Sequence, residues 1–306
     1  MRDFLRRYGR TVVRLVVVGA LALWLIQTDD LSALGAVWAR LPLWTLGAAV
    51  ALGCVTLCLA AVRWQMLMRA FGVEAPPPVR TLLRLVFVGH FYNTFVPGAV
   101  GGDVVRGVIM RRHFETPWAS YVVVVLERLI GLSALGVVLL AGLIWGPALL
   151  ERATVVFWVG VLVGLGVLIV AAALLTGRLQ ALFRRLPRVV QPCRLLWAFG
   201  ISLPAHGLSL LIFGMLVHGL DLPVTATDLL LVVPLGLVAS FVPIAIVGIG
   251  PREAALVGLL GLLGVPRSEA LGLSLAYAGM ILVLAVVGGV VQLIGRSEVS
   301  DGAPVA

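Results

Sequence analysis

Six charged residues interrupt the longest apolar stretches of the sequence, and they are the side chains best placed to do chemistry. A charged side chain at the centre of a membrane helix costs roughly 2.5–3.5 kcal/mol on insertion scales, so such residues normally face a protein interior and pair. Three of the six are acids and three are arginines: Asp103, Arg106, Glu127, Arg128, Arg252 and Glu253. The set therefore predicts buried ion pairs.

The spacing of these residues predicts how they pair. Asp103 and Arg106 are three residues apart and share a helical face if the chain turns helical after Gly102. The other four form two adjacent pairs, which a helix splays by about 100°, so each is expected to find its partner on another element. Two interpretations stay open: the six ions only hold the protein together, or they form a binding site.

As a binding site, the arginines favour phosphate. A guanidinium group offers five donors in a fork that matches phosphate oxygens, and it keeps its charge where the dielectric constant is low. Bare backbone amides after the glycine pairs at 101–102 and 248–250 are expected to add an anion-favouring helix N-terminus. Asn93 is a further polar candidate, and the acids would keep the empty site near neutral. The predicted substrate-binding residues are Asn93, Gly101, Gly102, Asp103, Arg106, Glu127, Arg128, Gly248, Gly250, Arg252 and Glu253.

The composition places these residues in a membrane protein. Of 306 residues, 61% are apolar and only 12% are charged, where a soluble domain has about a quarter. All 23 basic residues are arginine, which excludes chemistry that needs a lysine, and the net charge of +9 is assigned to loops facing anionic lipid rather than to nucleic acid. No nucleophile, metal or cofactor pattern is present, so no enzyme activity, catalytic residue, metal or cofactor is predicted.

Apolar runs of about 20 residues predict the membrane spans. The predicted spans are 12–27, 43–62, 119–146, 153–176, 195–220 and 268–295. The first is interpreted as an uncleaved anchor. Tryptophans near the span ends are assigned to an interfacial belt: Trp24, Trp38, Trp44, Trp64, Trp118 and Trp145.

Two further apolar stretches, 82–110 and 229–265, are interrupted by proline and glycine. Arginine-rich loops stay cytoplasmic, and this bias places both termini in the cytoplasm. It also gives 82–110 cytoplasmic flanks and 229–265 outer flanks. Both are therefore predicted to be re-entrant hairpins that line a polar cavity, because irregular backbone at membrane depth needs one. The predicted hairpin-forming residues are Pro97, Gly98 and Pro243.

The two hairpins resemble one another and predict an internal repeat. Phe95-Val96-Pro97 and Phe241-Val242-Pro243 are each followed by glycines and then by an arginine with an acid. With three spans in each half, the second half enters the membrane from the opposite side, so the two halves have inverted topology. Interrupted segments at corresponding positions of such halves mark the binding site of transporters. The predicted fold is all-α and polytopic, with about six transmembrane helices and two re-entrant hairpins in an inverted-topology repeat. The first repeat covers 1–146, the second 147–295, and a cytoplasmic tail 296–306.

The sequence also resembles a known family. The segments 91–98 (FYNTFVPG), 100–106 (VGGDVVR), 126–132 (LERLIGL) and 248–254 (GIGPREA), with 264–266 (GVP), resemble the signature of the lysylphosphatidylglycerol synthase transmembrane-region, or flippase-like, family. Glu127 stands where an aspartate is usual. The resemblance implies a bacterial inner-membrane protein related to lipid-moving domains, without the aminoacyl-transferring domain of the fused synthases.

Together these features predict a flippase that moves an anionic or phosphate-bearing phospholipid or glycolipid headgroup between leaflets. The alternative is a non-transporting accessory subunit of a polyprenyl-phosphate glycosyltransferase or cell-envelope lipid pathway. A transporter of small soluble anions is a third interpretation. The expected partners are a membrane lipid and a glycosyltransferase or lipid-synthesis enzyme, but no nucleic acid, and a homodimer is left open.

Overall fold

The computed structural model describes residues 30–96, 100–145, 189–241 and 250–300, and within these ranges the chain is helical with no strand. One 3-10 turn, at Arg111–His113, follows the fourth helix. The helices are α1 (Asp30–Arg40), α2 (Leu43–Ala70), α3 (Val79–Phe95), α4 (Gly101–Met110), α5 (Ala119–Trp145), α6 (Cys193–Gly219), α7 (Ala226–Ala239), α8 (Pro251–Leu262) and α9 (Arg267–Ser300).

Four helices of the described ranges are long and apolar enough to cross a membrane: α2, α5, α6 and the Arg267–Ile294 part of α9. They coincide with four of the predicted spans and indicate a multi-pass membrane protein. Large apolar side chains on their surfaces, such as Leu43, Ile144 and Leu196, are 84%, 71% and 75% exposed, as is typical of helices that face lipid. The predicted spans 12–27 and 153–176 lie outside the described residues.

Each of the two interrupted stretches contains two short helices. Stretch 82–110 holds α3 and α4, which pack together where Gly89 meets Gly102. Stretch 229–265 holds α7 and α8, which pack where Gly236 lies against Leu256 of α8. The two breaks predicted between helices are therefore present. The re-entrant path of each helix pair stays a prediction.

The helices pack in three main pairs: α2 with α6, α3 with α9, and α5 with α7. In two of these pairs a glycine meets a backbone carbonyl of the partner helix. Gly288 of α9 lies on the Phe87 carbonyl of α3, and Gly142 of α5 lies on the Leu230 carbonyl of α7. Small residues allow such close approach of membrane helices. The short helices α3 and α7 are therefore held tightly against long ones.

Two apolar clusters support these pairs. One joins α6, α7, α8 and α9 around Phe213, whose ring lies 4.5 Å from that of Tyr277. The other surrounds the second half of α2 and includes Trp64, Leu67 and Leu82, all at most 1% exposed. This second cluster fixes the part of α2 that carries the charged site.

The start of α7 carries a capping box that can be tested directly. The Thr225 hydroxyl accepts a hydrogen bond from the Asp228 backbone N–H at 3.2 Å, and the Thr225 N–H donates to the Asp228 carboxylate at 3.0 Å. Thr225→Ala removes the first bond, so we expect the free energy of unfolding to fall by about 1 kcal/mol. Thermal unfolding in detergent measures this. Thr225→Ser, which keeps the hydroxyl, should match the wild type; an unchanged midpoint for Thr225→Ala would contradict the prediction.

Candidate functional site

A cavity of about 200 Å³ lies between α2, α3, α4 and α5. Each of the four helices contributes at least one charged or amide side chain to its wall. There are six such side chains in the described wall, and all but Arg63 were predicted as binding residues. The six are Arg63, Asn93, Asp103, Arg106, Glu127 and Arg128. We call this space the arginine cavity.

Glu127 joins two arginines in the arginine cavity. Its Oε1 accepts a hydrogen bond from Arg63 Nη2 at 3.0 Å, and its Oε2 accepts one from Arg106 Nη2. Glu127 and Arg106 are only 4% and 8% exposed. This buried carboxylate, held by two guanidinium groups, links three helices, α2, α4 and α5.

Asp103 forms the second ion pair of the cavity. Its Oδ2 accepts a hydrogen bond from Arg128 Nε, while its Oδ1 lies 4.0 Å from Arg106 Nη1. Asp103 and Arg106 therefore do share a face of α4, as their spacing predicts. The prediction that Glu127 and Arg128 find partners on other elements is confirmed.

The Arg106 guanidinium is covered on one side by an aromatic ring. Its Cζ lies 4.0 Å from the centre of the Trp64 ring, a cation–π contact that favours a charged guanidinium away from water. Gly89 leaves room for the arginine stem, because a Cβ there would lie 2.9 Å from Arg106 Cδ. Trp64 is 1% exposed, so its assignment to the interfacial belt is wrong.

Arg63 lies in the cavity wall, although it comes directly after the predicted span 43–62 and is not among the predicted binding residues. Helix α2 continues to Ala70, and Arg63 points from its interior to Glu127 and to the Ser202 hydroxyl of α6, with Nη1 to Oγ at 3.1 Å. The signal was present: the apolar residues of 57–62 resume at Trp64 and continue, with one glutamine, to Met68. The predicted span ends at residue 62, before the first arginine, whereas the helix continues to Ala70.

Asn93 holds the start of α4. Its Oδ1 accepts a hydrogen bond from the Gly102 backbone N–H at 2.8 Å, and its Nδ2 lies 3.4 Å from Asp103 Oδ1. The Gly102 amide is therefore bonded within the protein, and the bare amides after the glycine pair stay a prediction. A side chain on α3 supplies the acceptor for this first-turn N–H.

Removing this link should weaken the α3–α4 pair. Asn93→Ala leaves the Gly102 N–H without its acceptor, so we expect the free energy of unfolding to fall by about 1–3 kcal/mol. Thr94→Val is a matched control, because the Thr94 hydroxyl bonds the His90 carbonyl of its own helix. Thermal unfolding in detergent compares the two. Equal losses for both variants would contradict the role given to Asn93.

A further ion pair, between Arg252 and Glu253, is not part of the described wall of the arginine cavity. Arg252 Nε donates to Glu253 Oε1 at 2.8 Å, Glu253 Oε2 accepts from the Gly250 N–H at 2.5 Å, and Arg252 Cζ lies 5.0 Å from the Tyr277 ring. Arg252 and Glu253 therefore bond each other, although their spacing predicted partners on other elements, and the Gly250 amide is bonded within the same turn. Glu253 bends back to cap the N-terminus of α8, which brings its other oxygen beside Arg252.

The arginine cavity carries an excess of positive charge. Three guanidinium groups, those of Arg63, Arg106 and Arg128, face two carboxylates among the described residues of its wall. Arg106 Nε and Arg63 Nε are buried and lack a hydrogen-bond acceptor there. Guanidinium N–H groups without an acceptor favour an anionic partner. The described ranges contain no cluster of metal-ligating side chains.

The remaining predicted residues fall into two groups. Gly101 begins α4, and Gly102 packs against α3 rather than lining the cavity. Pro97, Gly98, Pro243 and Gly248 lie outside the described residues. A larger cavity, of about 520 Å³, lies elsewhere, between the end of α2, the loop before α5 and residues 190–191.

The comparison with protein families identifies one match. The family model described as lysylphosphatidylglycerol synthase TM region matches residues 11–289. The match covers nearly the whole chain, including every helix that lines the arginine cavity. No curated protein matches the sequence significantly.

Proposed function

Because the chain belongs to the lysylphosphatidylglycerol synthase transmembrane-region family, we propose that it is a lipid translocase of the bacterial inner membrane. The cargo is a lipid with an anionic or phosphate-bearing headgroup. The headgroup crosses through the arginine cavity while the acyl or polyprenyl chains remain in the bilayer.

The observation that carries this proposal is the buried charge of the arginine cavity. Arg106 is 8% exposed, stacks on Trp64 and holds Glu127, yet it lines an open space of about 200 Å³. A guanidinium group that faces an open space can bind a phosphate there with the same donor geometry that it offers to a carboxylate. An entering phosphate would take the place of Glu127 or Asp103 on the guanidinium groups.

The helix pairing supports the proposed inverted repeat. If α2 to α5 are equivalent to α6 to α9, the contact of α3 with α9 has its counterpart in that of α7 with α5. The contact of α2 with α9 likewise has its counterpart in that of α6 with α5, and α2 meets α6 itself. Under this arrangement the Arg252–Glu253 pair on α8 is the counterpart of the charges on α4. We propose it as the headgroup contact of the opposite half of the transport cycle.

A liposome assay tests the proposal. Purified protein is reconstituted with a phospholipid that carries a fluorophore on an acyl chain, and a membrane-impermeant reductant quenches the outer leaflet. We expect protein-containing vesicles to expose anionic lipid from the inner leaflet faster than empty vesicles do. Arg40→Gln serves as a control, because Arg40 pairs with Glu269 at an exposed site away from the cavity.

Equal rates in protein-containing and empty vesicles, across phospholipids and polyprenyl-linked lipids, would overturn translocation. Binding of such a lipid without movement would instead favour the alternative of an accessory subunit. That alternative places the protein beside a glycosyltransferase or lipid-synthesis enzyme, which co-purification would identify.

A further inference from the structure

The charges of the arginine cavity specify more than an anion. Without Arg63, the two arginines and two acids of the wall have a net charge of zero. Arg63 raises this net charge to one positive charge. Three guanidinium groups stand against the carboxylates of Asp103 and Glu127 in the described wall, and His90, whose Nε2 lies 3.3 Å from the Ile281 carbonyl, is counted as neutral. A ligand with one negative charge brings this sum to zero.

Both carboxylates are already engaged on both oxygens. Glu127 Oε1 accepts a hydrogen bond from Arg63, and its Oε2 accepts one from Arg106. Asp103 Oδ2 accepts a hydrogen bond from Arg128. Its Oδ1 lies 3.4 Å from Asn93 Nδ2 and 4.0 Å from Arg106 Nη1. An ammonium group on a ligand would compete with a guanidinium group at either acid, and it would add a further positive charge to a wall that already has one in excess. The described wall therefore has donors for a phosphate and no acid to spare for a cation.

Burial increases the free-energy cost of binding a ligand whose charge does not balance that of the wall. Glu127 and Arg106 are at most 8% exposed, and Trp64 covers one face of Arg106, so the surroundings screen charge less than water does. Uncharged hydroxyl groups have no such cost, because they donate to carboxylates and accept from guanidinium groups without changing the sum.

From this balance we infer that the cavity takes a phosphodiester headgroup with a single negative charge, whose remaining part is an uncharged polyol such as glycerol or a sugar, and that it discriminates against headgroups bearing ammonium groups. The inference rests on the proposed translocation. It extends to polyprenyl lipids: a sugar joined through one phosphate fits, whereas a sugar joined through a diphosphate carries too much charge.

A lipid panel tests the inference. The acyl chains and fluorophore are kept constant, and the headgroup is phosphoglycerol, phosphoethanolamine or lysyl-phosphoglycerol. We expect phosphatidylglycerol to cross at least about tenfold faster than either ammonium-bearing lipid. Equal rates for all three would overturn the charge selection while leaving translocation intact. If none of the three crosses faster than in empty vesicles, and a polyprenyl-linked lipid does not either, both the inference and the proposed function fail.

Variants of Arg63 test the origin of the selection. Arg63→Gln brings the sum of charges to zero, and we expect the preference for phosphatidylglycerol to fall about tenfold. The double variant Arg63→Gln with Glu127→Gln returns the sum to one positive charge, so the preference should return even though the original contacts are gone. Arg63→Lys should keep it. If the preference survives Arg63→Gln, or fails to return in a folded double variant, the inference is wrong.

Discussion

Arg106→Gln is expected to slow translocation of anionic lipid about 100-fold or more. Among the described residues of the cavity, Arg106 is the arginine that lies within 4.0 Å of Asp103, is bonded to Glu127 and is stacked on Trp64. Losing one partner of a hydrogen-bonded charge pair between protein and headgroup costs about 2–5 kcal/mol of binding, and every 1.4 kcal/mol is about tenfold in an equilibrium constant. The liposome assay with a phosphoglycerol lipid measures the loss.

Two further variants separate charge from geometry at this position. Arg106→Lys keeps the positive charge but loses the planar fork, so we expect an intermediate rate, about tenfold below the wild type. Arg40→Gln should transport normally. If folded Arg106→Gln moves lipid at a rate close to that of the wild type, Arg106 does not contact the headgroup.

Gly102→Ala is expected to cause a large loss of stability, because it forces two backbones apart. A Cβ on Gly102 would overlap the carbonyl oxygen of Gly89 and lie 2.7 Å from Gly89 Cα. Both obstacles are backbone atoms, which cannot move aside as a flexible side chain would. Helices α3 and α4 must then separate, and we expect the free energy of unfolding to fall by about 3 kcal/mol, at the upper end of the range for overpacking.

Thermal unfolding in detergent tests this expectation, with Gly136→Ala as the control. Gly136 lies inside α5, and no neighbouring atom of the described chain lies within 4 Å of where its Cβ would stand. Alanine there should leave stability unchanged or raise it by up to about 1 kcal/mol. Translocation should fall with Gly102→Ala, because Asp103 and Arg106 lie on the displaced helix. Equal stability of the two variants would contradict the close contact of α3 and α4.

Much of the helical framework was predictable because a membrane imposes a minimum apolar length. The predicted spans 43–62, 119–146, 195–220 and 268–295 all correspond to long helices, and the proline and glycine interruptions predicted the breaks after α3 and α7. Helix α1 was missed, because its 11 residues are too few to give a transmembrane signal.

The partners of the buried charges were less predictable, because they depend on side-chain reach across helices. The opposite charges next to each other at 127–128 separate onto different partners, whereas those at 252–253 bond each other, and helix spacing alone predicts the same behaviour for both. The difference lies in position: Glu253 stands in the first turn of α8 and caps it, while Glu127 stands within a long helix. Capping by Asn93 was missed for a related reason, since its acceptor role requires knowing that α4 folds back on α3.

The most direct test of the central claim is an experimental structure of the protein with its co-purified lipid in a native-like bilayer. We expect the headgroup phosphate within hydrogen-bond distance of Arg106 and Arg128, with Glu127 retained by Arg63. Phosphate density confined to the larger cavity beside Arg69 and His113, with the Arg106–Glu127 pair unchanged, would contradict the account.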